Sequence, residues 1–70
     1  MTFNLAIKCD NSAFVDDSDG DDKPMPGPEL ARILRKLASQ LDTDLDTEDG
    51  ESWSLLDVNG NKVGNADLYP

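Results

Sequence analysis

The sequence has no histidine, one cysteine and few basic residues. Without histidine, the chain lacks the side chain best suited to acid–base work near neutrality. One thiol, Cys9, excludes an intramolecular disulfide. A short domain without disulfides suits a reducing cytoplasm. Residues 1–8 hold only a short apolar stretch and no charged leader, so no signal peptide is expected. The longest apolar run is far below the roughly 20 residues of a membrane span. Lys and Arg number six against fifteen Asp and Glu, a formal net charge of -9 on 70 residues.

Such an excess costs stability through self-repulsion and is itself repelled by nucleic acid and anionic membranes. The natural partners of an acidic chain are basic protein surfaces and cations. Many basic surfaces exist to hold DNA or RNA, so an acidic domain can compete for them.

Catalysis is poorly supported. Cys9 has no plausible partner and no serine sits in a nucleophile motif. Carboxylate pairs are plentiful, but acid–base chemistry needs a pocket that separates their pKa values. A core this small leaves little room for one, so neither an enzyme nor a cofactor is expected. Calcium is the other candidate. A helix–loop–helix calcium site needs acids at loop positions one, three and five, Gly at six and Glu at twelve. Placing Gly20 at six puts Val15 at one and Pro26 at twelve. Placing Asp42, Asp44 and Asp46 at one, three and five puts Thr47 at six and Trp53 at twelve. Both alignments fail, and no dedicated metal site is expected.

Regular structure is legible in three places. Residues 2–8 alternate, with Phe3, Leu5 and Ile7 on one side, as a half-buried strand does. Residues 28–41 place Leu30, Ile33, Leu34, Leu37, Ala38 and Leu41 on one helical stripe. Pro28 suits the first turn, Gly27 can cap it, and Glu29 complements the positive end of the helix dipole. The run Lys23 to Gly27 is expected to block the helix until Pro28. Arg32, Arg35 and Lys36 fall on the opposite face. Three cations are a weak nucleic-acid footprint on so acidic a chain, and they read as a solvated face. Trp53, Leu55 and Leu56 mark another strand. A turn over 57–61 leads into a last strand from about 62 to 68. Asp57, Asn59 and Gly60 suit a type I turn with a glycine bulge, which sets Leu55 beside Val63. A tighter Asn59–Gly60 loop would pair Leu56 with Val63; the bulged form is preferred. Between these elements, 10–12 reads as a turn, and Ala13, Phe14 and Val15 as a short edge strand or a loop anchor. Cys9 reads as a small hydrophobe, buried or half-buried.

The expected fold is α+β: a three-stranded antiparallel sheet with one helix packed on one face, in the order strand, helix, strand, strand. One domain fills 1–70, with mobile acidic loops at about 16–27 and 42–51. The expected core is Phe3, Leu5, Ile7, Leu30, Ile33, Leu34, Leu37, Leu41, Trp53, Leu55 and Val63.

The acidic loops carry the functional signal. Asp42, Asp44 and Asp46 follow the helix C-terminus, where the dipole disfavours negative charge. Departures from good local design without local gain are expected at functional sites. If 42–48 is extended, alternate carboxylates lie about 6.6 Å apart, from a rise of about 3.3 Å per residue. That is of the order of phosphate spacing along a nucleic-acid strand. The main contact set is Asp42, Asp44, Asp46, Glu48, Asp49 and Glu51. A second set is Asp16, Asp17, Asp19, Asp21 and Asp22.

Three stretches, residues 9–14 (Cys-Asp-Asn-Ser-Ala-Phe), 28–38 (Pro-Glu-Leu-Ala-Arg-Ile-Leu-Arg-Lys-Leu-Ala) and 57–64 (Asp-Val-Asn-Gly-Asn-Lys-Val-Gly), resemble small proteins of bacteriophages and mobile elements. Within that group the chain looks most like the anti-CRISPR proteins directed at type I surveillance complexes, type I-C among them. The resemblance implies a DNA mimic. Such a protein occupies the basic site where the complex's large subunit reads the protospacer-adjacent motif, and it blocks target DNA binding. The chain is expected to be a monomer in the cytoplasm of the bacterial host, contacting neither nucleic acid nor membrane. An alternative is a phage accessory domain that binds another host protein, its acids serving solubility. A weaker one is a cation-binding module.

Overall fold

The computed structural model describes residues 1–16 and 23–70. Its elements in chain order are β1 (Thr2–Ile7), a short 3-10 helix (Ser12–Phe14), β2 (Val15–Asp16), β3 (Lys23–Pro24), α1 (Pro26–Leu41), β4 (Glu51–Leu56) and β5 (Lys62–Tyr69). β1, β5 and β4 form an antiparallel sheet in that spatial order, so the last strand is the central one. This is the expected α+β fold, one helix on a three-stranded sheet. A second, two-stranded sheet pairs β2 with β3. The expected loop at 16–27 is therefore closed at its base, with Val15 opposite Pro24 and Asp16 opposite Lys23.

Side chains directly opposite one another share a face of the sheet. The register lines up three rows across the inner face: Phe3–Leu68–Glu51, Leu5–Ala66–Trp53 and Ile7–Gly64–Leu55. The helix lies over only part of this face. Ile33 and Leu37 sit at its contact line with Phe14, Leu55, Val63 and Ala66, all buried. Ile7, Cys9, Ala13, Leu30, Leu41 and Trp53 pack around them, half-buried. On one flank of the helix, Lys36 and Gln40 face Ser54 and Leu56 across a crevice of about 120 Å³. Arg32 Nη2 ties the helix to β4 by donating to the Leu56 carbonyl at 3.0 Å.

This off-centre seat corrects the expected core. Phe3, Leu5 and Leu34 are 44%, 41% and 43% exposed, because the helix does not reach across to β1. Phe14, left open in sequence as strand or anchor, is an anchor and the largest fully buried side chain. Asn11 supports it: its side chain caps the 3-10 turn by accepting from the Ala13 N–H at 3.0 Å. Ala66 and Leu68, absent from the expected core, are buried on the central strand.

Two boundaries also differ. The helix starts at Pro26, with Met25 rather than Gly27 as its N-cap. The first four N–H groups of a helix have no intrahelical partner, so Pro26 and Pro28 sacrifice nothing there. The hairpin keeps the turn chemistry of the preferred form. The Gly60 N–H donates to the Asp57 carbonyl at 3.0 Å, and Gly60 has φ +85°. Its register then slips by one. Leu56 pairs with Lys62, but Leu55 pairs with Gly64 rather than Val63. Val63 is the extra residue of a bulge, which turns its side chain into the core.

Candidate acidic interaction surface

The helix ends at Leu41, and the Asp42 N–H still reaches the Ala38 carbonyl at 3.2 Å. The chain then bends at 42–43 and turns at 47–49 before entering β4. It is not extended over 42–48, so an even phosphate-like spacing of its carboxylates does not hold. The reason is local. Asp46 folds the loop around itself, its Oδ1 accepting from the Glu48 and Asp49 N–H groups at 3.1 and 3.0 Å. Aspartate favours such turns over extended chain. The Asp46 N–H in turn donates to Glu51 Oε2 at 3.0 Å.

The six expected contact residues thus divide. Asp46 and Glu51 hold the loop's shape, and Glu51 is half-buried. Asp42, Asp44, Glu48 and Asp49 are exposed, and their carboxylates make no hydrogen bond or ion pair among the described residues. No Lys or Arg occurs anywhere from 37 to 61. The loop's negative field is therefore not neutralised by its neighbours in sequence.

Of the second set, Asp16 contributes its backbone to β2. Asp17, Asp19, Asp21 and Asp22 lie outside the described residues. Their segment is anchored between β2 and β3, just ahead of the helix N-terminus, whereas 42–51 leaves its C-terminus. Sixteen helical residues, about 24 Å at about 1.5 Å each, separate the two attachment points.

The structure also contains two buried carboxylates, at positions that the sequence marks only as a helix start and a turn. Glu29 is 8% exposed and Asp57 4%. Glu29 accepts from Arg32 Nε and Nη2 at 2.7 and 3.1 Å and from the Val58 N–H at 2.7 Å. Arg32 Nη2 continues to the Leu56 carbonyl at 3.0 Å. Arg32 is thus tied between helix and hairpin, which removes it from the expected solvated face; Arg35 and Lys36 remain exposed. Asp57 accepts from Asn11 Nδ2 at 2.7 Å, from the Asn59 and Asn61 N–H groups at 2.9 Å each, and from Asn61 Nδ2 at 3.2 Å.

The hydrogen bonds from Arg32 hold the Glu29 carboxyl below its ordinary range. Burial and the nearby Asp57 charge oppose that shift, while the Val58 N–H and the Arg32 charge add to it. For Asp57, burial alone would raise the pKa. The bonds from Asn61, Asn11 and Asn59 together outweigh it and hold the carboxyl low. The signal was present in sequence as an Asp followed at two and four residues by Asn. What was missing was Asn11, brought in from 46 residues away.

This knot joins the three stretches on which the family resemblance rests: Asn11 from the first, Glu29 and Arg32 from the second, and Asp57, Val58 and Asn61 from the third. They form one structural unit, apart from the exposed loop. Among the described residues no group of three or more Asp, Glu or Cys is placed to hold a metal ion. One hollow of about 530 Å³, beside Lys8, Lys62 and Gly64, has no carboxylate in its wall. No helix among the described residues is long and apolar enough to cross a membrane. Comparison of the chain with protein-family models, curated proteins and solved structures found no match.

Proposed function

We propose that this chain is an inhibitor that presents carboxylates to a basic surface built to hold nucleic-acid phosphates. The sequence resemblance directs the proposal to the DNA-reading large subunit of a type I CRISPR surveillance complex in the bacterial cytoplasm. The observation that carries the reading is the loop after the helix. Asp42, Asp44, Glu48 and Asp49 stand exposed and unpaired among the described residues, in a stretch free of Lys and Arg. Lys and Arg side chains of the partner would meet these carboxylates through charge-assisted hydrogen bonds. The long-range field would speed encounter. No turnover and no cofactor enter the mechanism.

The test is capture of partners from a bacterial host, followed by competition with target DNA at two salt concentrations. Recovery of a surveillance complex, with loss of its DNA binding on addition of the protein, supports the proposal. Recovery of an unrelated protein, or a complex that binds DNA and protein together, overturns it. A second reading, the accessory domain, draws on Asp46 and Glu51. Their carboxylates serve the loop's own folding. That reading expects the acids to be replaceable without loss of binding.

A further inference from the structure

The sheet has two edges, and they are treated differently. At β4 the helix stands alongside: Arg32 occupies the Leu56 carbonyl at 3.0 Å, and Lys36 and Gln40 face Ser54 and Leu56. At β1, no strand among the described residues pairs with the outer side. Native proteins normally blunt an open edge with charge, proline or a bulge. β1, Thr-Phe-Asn-Leu-Ala-Ile, has none of these in a chain that is 30% charged.

Which backbone groups face outward follows from the register. The Lys8 N–H donates to the Val63 carbonyl at 2.7 Å, one step beyond the Ile7–Gly64 pair. In an antiparallel pair, residues bonded to the partner alternate with residues whose N–H and C=O point away. Lys8, Ala6, Asn4 and Thr2 therefore bond towards β5. Phe3, Leu5 and Ile7 turn their backbone groups to the open edge. These residues also carry the inner-face side chains, and Phe3 and Leu5 are the ones the helix leaves half-exposed. Backbone groups without a strand partner among the described residues and uncovered apolar side chains coincide along one line, the two requirements for strand addition; the Ile7 carbonyl meets only the weak Cys9 thiol donor at 3.9 Å. Phe3 already packs against Trp53, ring centroids 6.1 Å apart. Glu51, at the base of the acidic loop, lies in the same row as Phe3.

We infer that β1 is a strand-addition site, and that its occupant is an extended partner segment alternating apolar and basic side chains. Charge selects that occupant. A second copy of the chain brings another net -9 against the first, whereas a basic segment meets a domain of opposite net charge. The inference rests on the basic-partner reading and gives that partner a backbone-mediated contact which charge mimicry does not require.

The test uses an alternating Lys–Val octapeptide, with an alternating Glu–Val octapeptide as control, followed by amide chemical shifts and hydrogen exchange. Lys–Val is expected to shift and protect the Phe3, Leu5 and Ile7 amides more than those of Asn4 and Ala6, while Glu–Val does not. Leu5→Pro removes an outward N–H together with the leucine side chain, and Phe3→Ser removes half-exposed apolar surface with its ring contact to Trp53. Each is expected to weaken the peptide about tenfold, or 1.4 kcal/mol, with thermal melting confirming a folded domain. Shifts confined to 42–51, no binding, or equal binding of both peptides overturn the inference. So does a concentration-dependent dimer that protects the same amides without peptide, since the edge then belongs to a second copy. Peptide binding without capture of a surveillance complex removes the CRISPR reading alone. Capture that survives both substitutions removes the edge site alone.

Discussion

At the scale of single residues, burial rather than residue type separates the structural acids from the available ones. Glu29 and Asp57 carry lowered pKa values in the folded state. Their contribution to stability is present above the unfolded carboxyl pKa of about 4 and is lost as pH falls through the lower folded value. Asp57→Asn keeps an acceptor and loses the charge, so it is expected to lower the melting midpoint at neutral pH. The gap between wild type and variant should narrow as pH falls to about 3. A gap independent of pH would show that Asp57 acts by shape alone. The helix stripe offers a second residue-level test. Leu37 is buried and Leu34 is 43% exposed. Leu37→Asp is expected to unfold the domain, because it buries an unpaired charge. Leu34→Asp should cost less than about 1 kcal/mol, as surface substitutions do. Phe14→Ala should cost about 3–5 kcal/mol, comparable to the whole stability of so small a domain. Periodicity could not rank these positions. It puts Leu34 and Leu37 on one stripe and leaves out Phe14, whose single apolar turn has no period to read.

At the scale of elements, sequence pattern located the three long strands and the helix to within two residues at each end. The departures have specific causes. Pro26 reads as a helix blocker because a proline preference was applied to the helix interior, whereas the first turn has no bonds for it to break. The Asp57 turn was legible from its Asn and Gly. The bulge at Val63 was not, because it depends on the partner strand. The spatial order, with β5 between β1 and β4, also lies outside any single-strand pattern. Gly64 shows the constraint: a Cβ there would collide with the Ala6 carbonyl of β1. Gly64→Ala is expected to cost about 1–3 kcal/mol, as overpacking does, and to loosen β1 first. Hydrogen exchange checks the order of events. The Asn4 and Ala6 amides should lose protection while the β4–β5 hairpin retains it. Equal loss throughout would mean that the strand and the hairpin open together.

At the scale of the whole molecule, the question is whether the charge is a solvation device or a contact surface. The acid excess was plain from composition, and the loop after the helix was legible as the place to look. Its shape was not, because Asp46 turns the chain back through bonds that composition does not reveal. That distinction alters the useful experiment. Neutralising Asp46 would confound charge with loop geometry, so the informative variant combines Asp42→Asn, Asp44→Asn, Glu48→Gln and Asp49→Asn. These carboxylates hold nothing together among the described residues, so their loss should not destabilise the fold. Relief of like-charge repulsion and of the unfavourable helix dipole at Asp42 should instead raise the melting midpoint slightly. If the loop meets a basic partner, the same variant should bind more weakly, chiefly through slower association. Added salt should then cost the wild type more affinity than the variant, since exposed charges are screened over about 10 Å at 0.1 M. Melting midpoint and association rate, each at low and moderate salt, decide between the two readings. A variant that is more stable and slower to bind identifies a surface whose charge is kept at the expense of stability. A variant that is more stable and binds at an unchanged rate identifies acids that serve solubility alone, and leaves the partner to be held elsewhere, with β1 the first place to test.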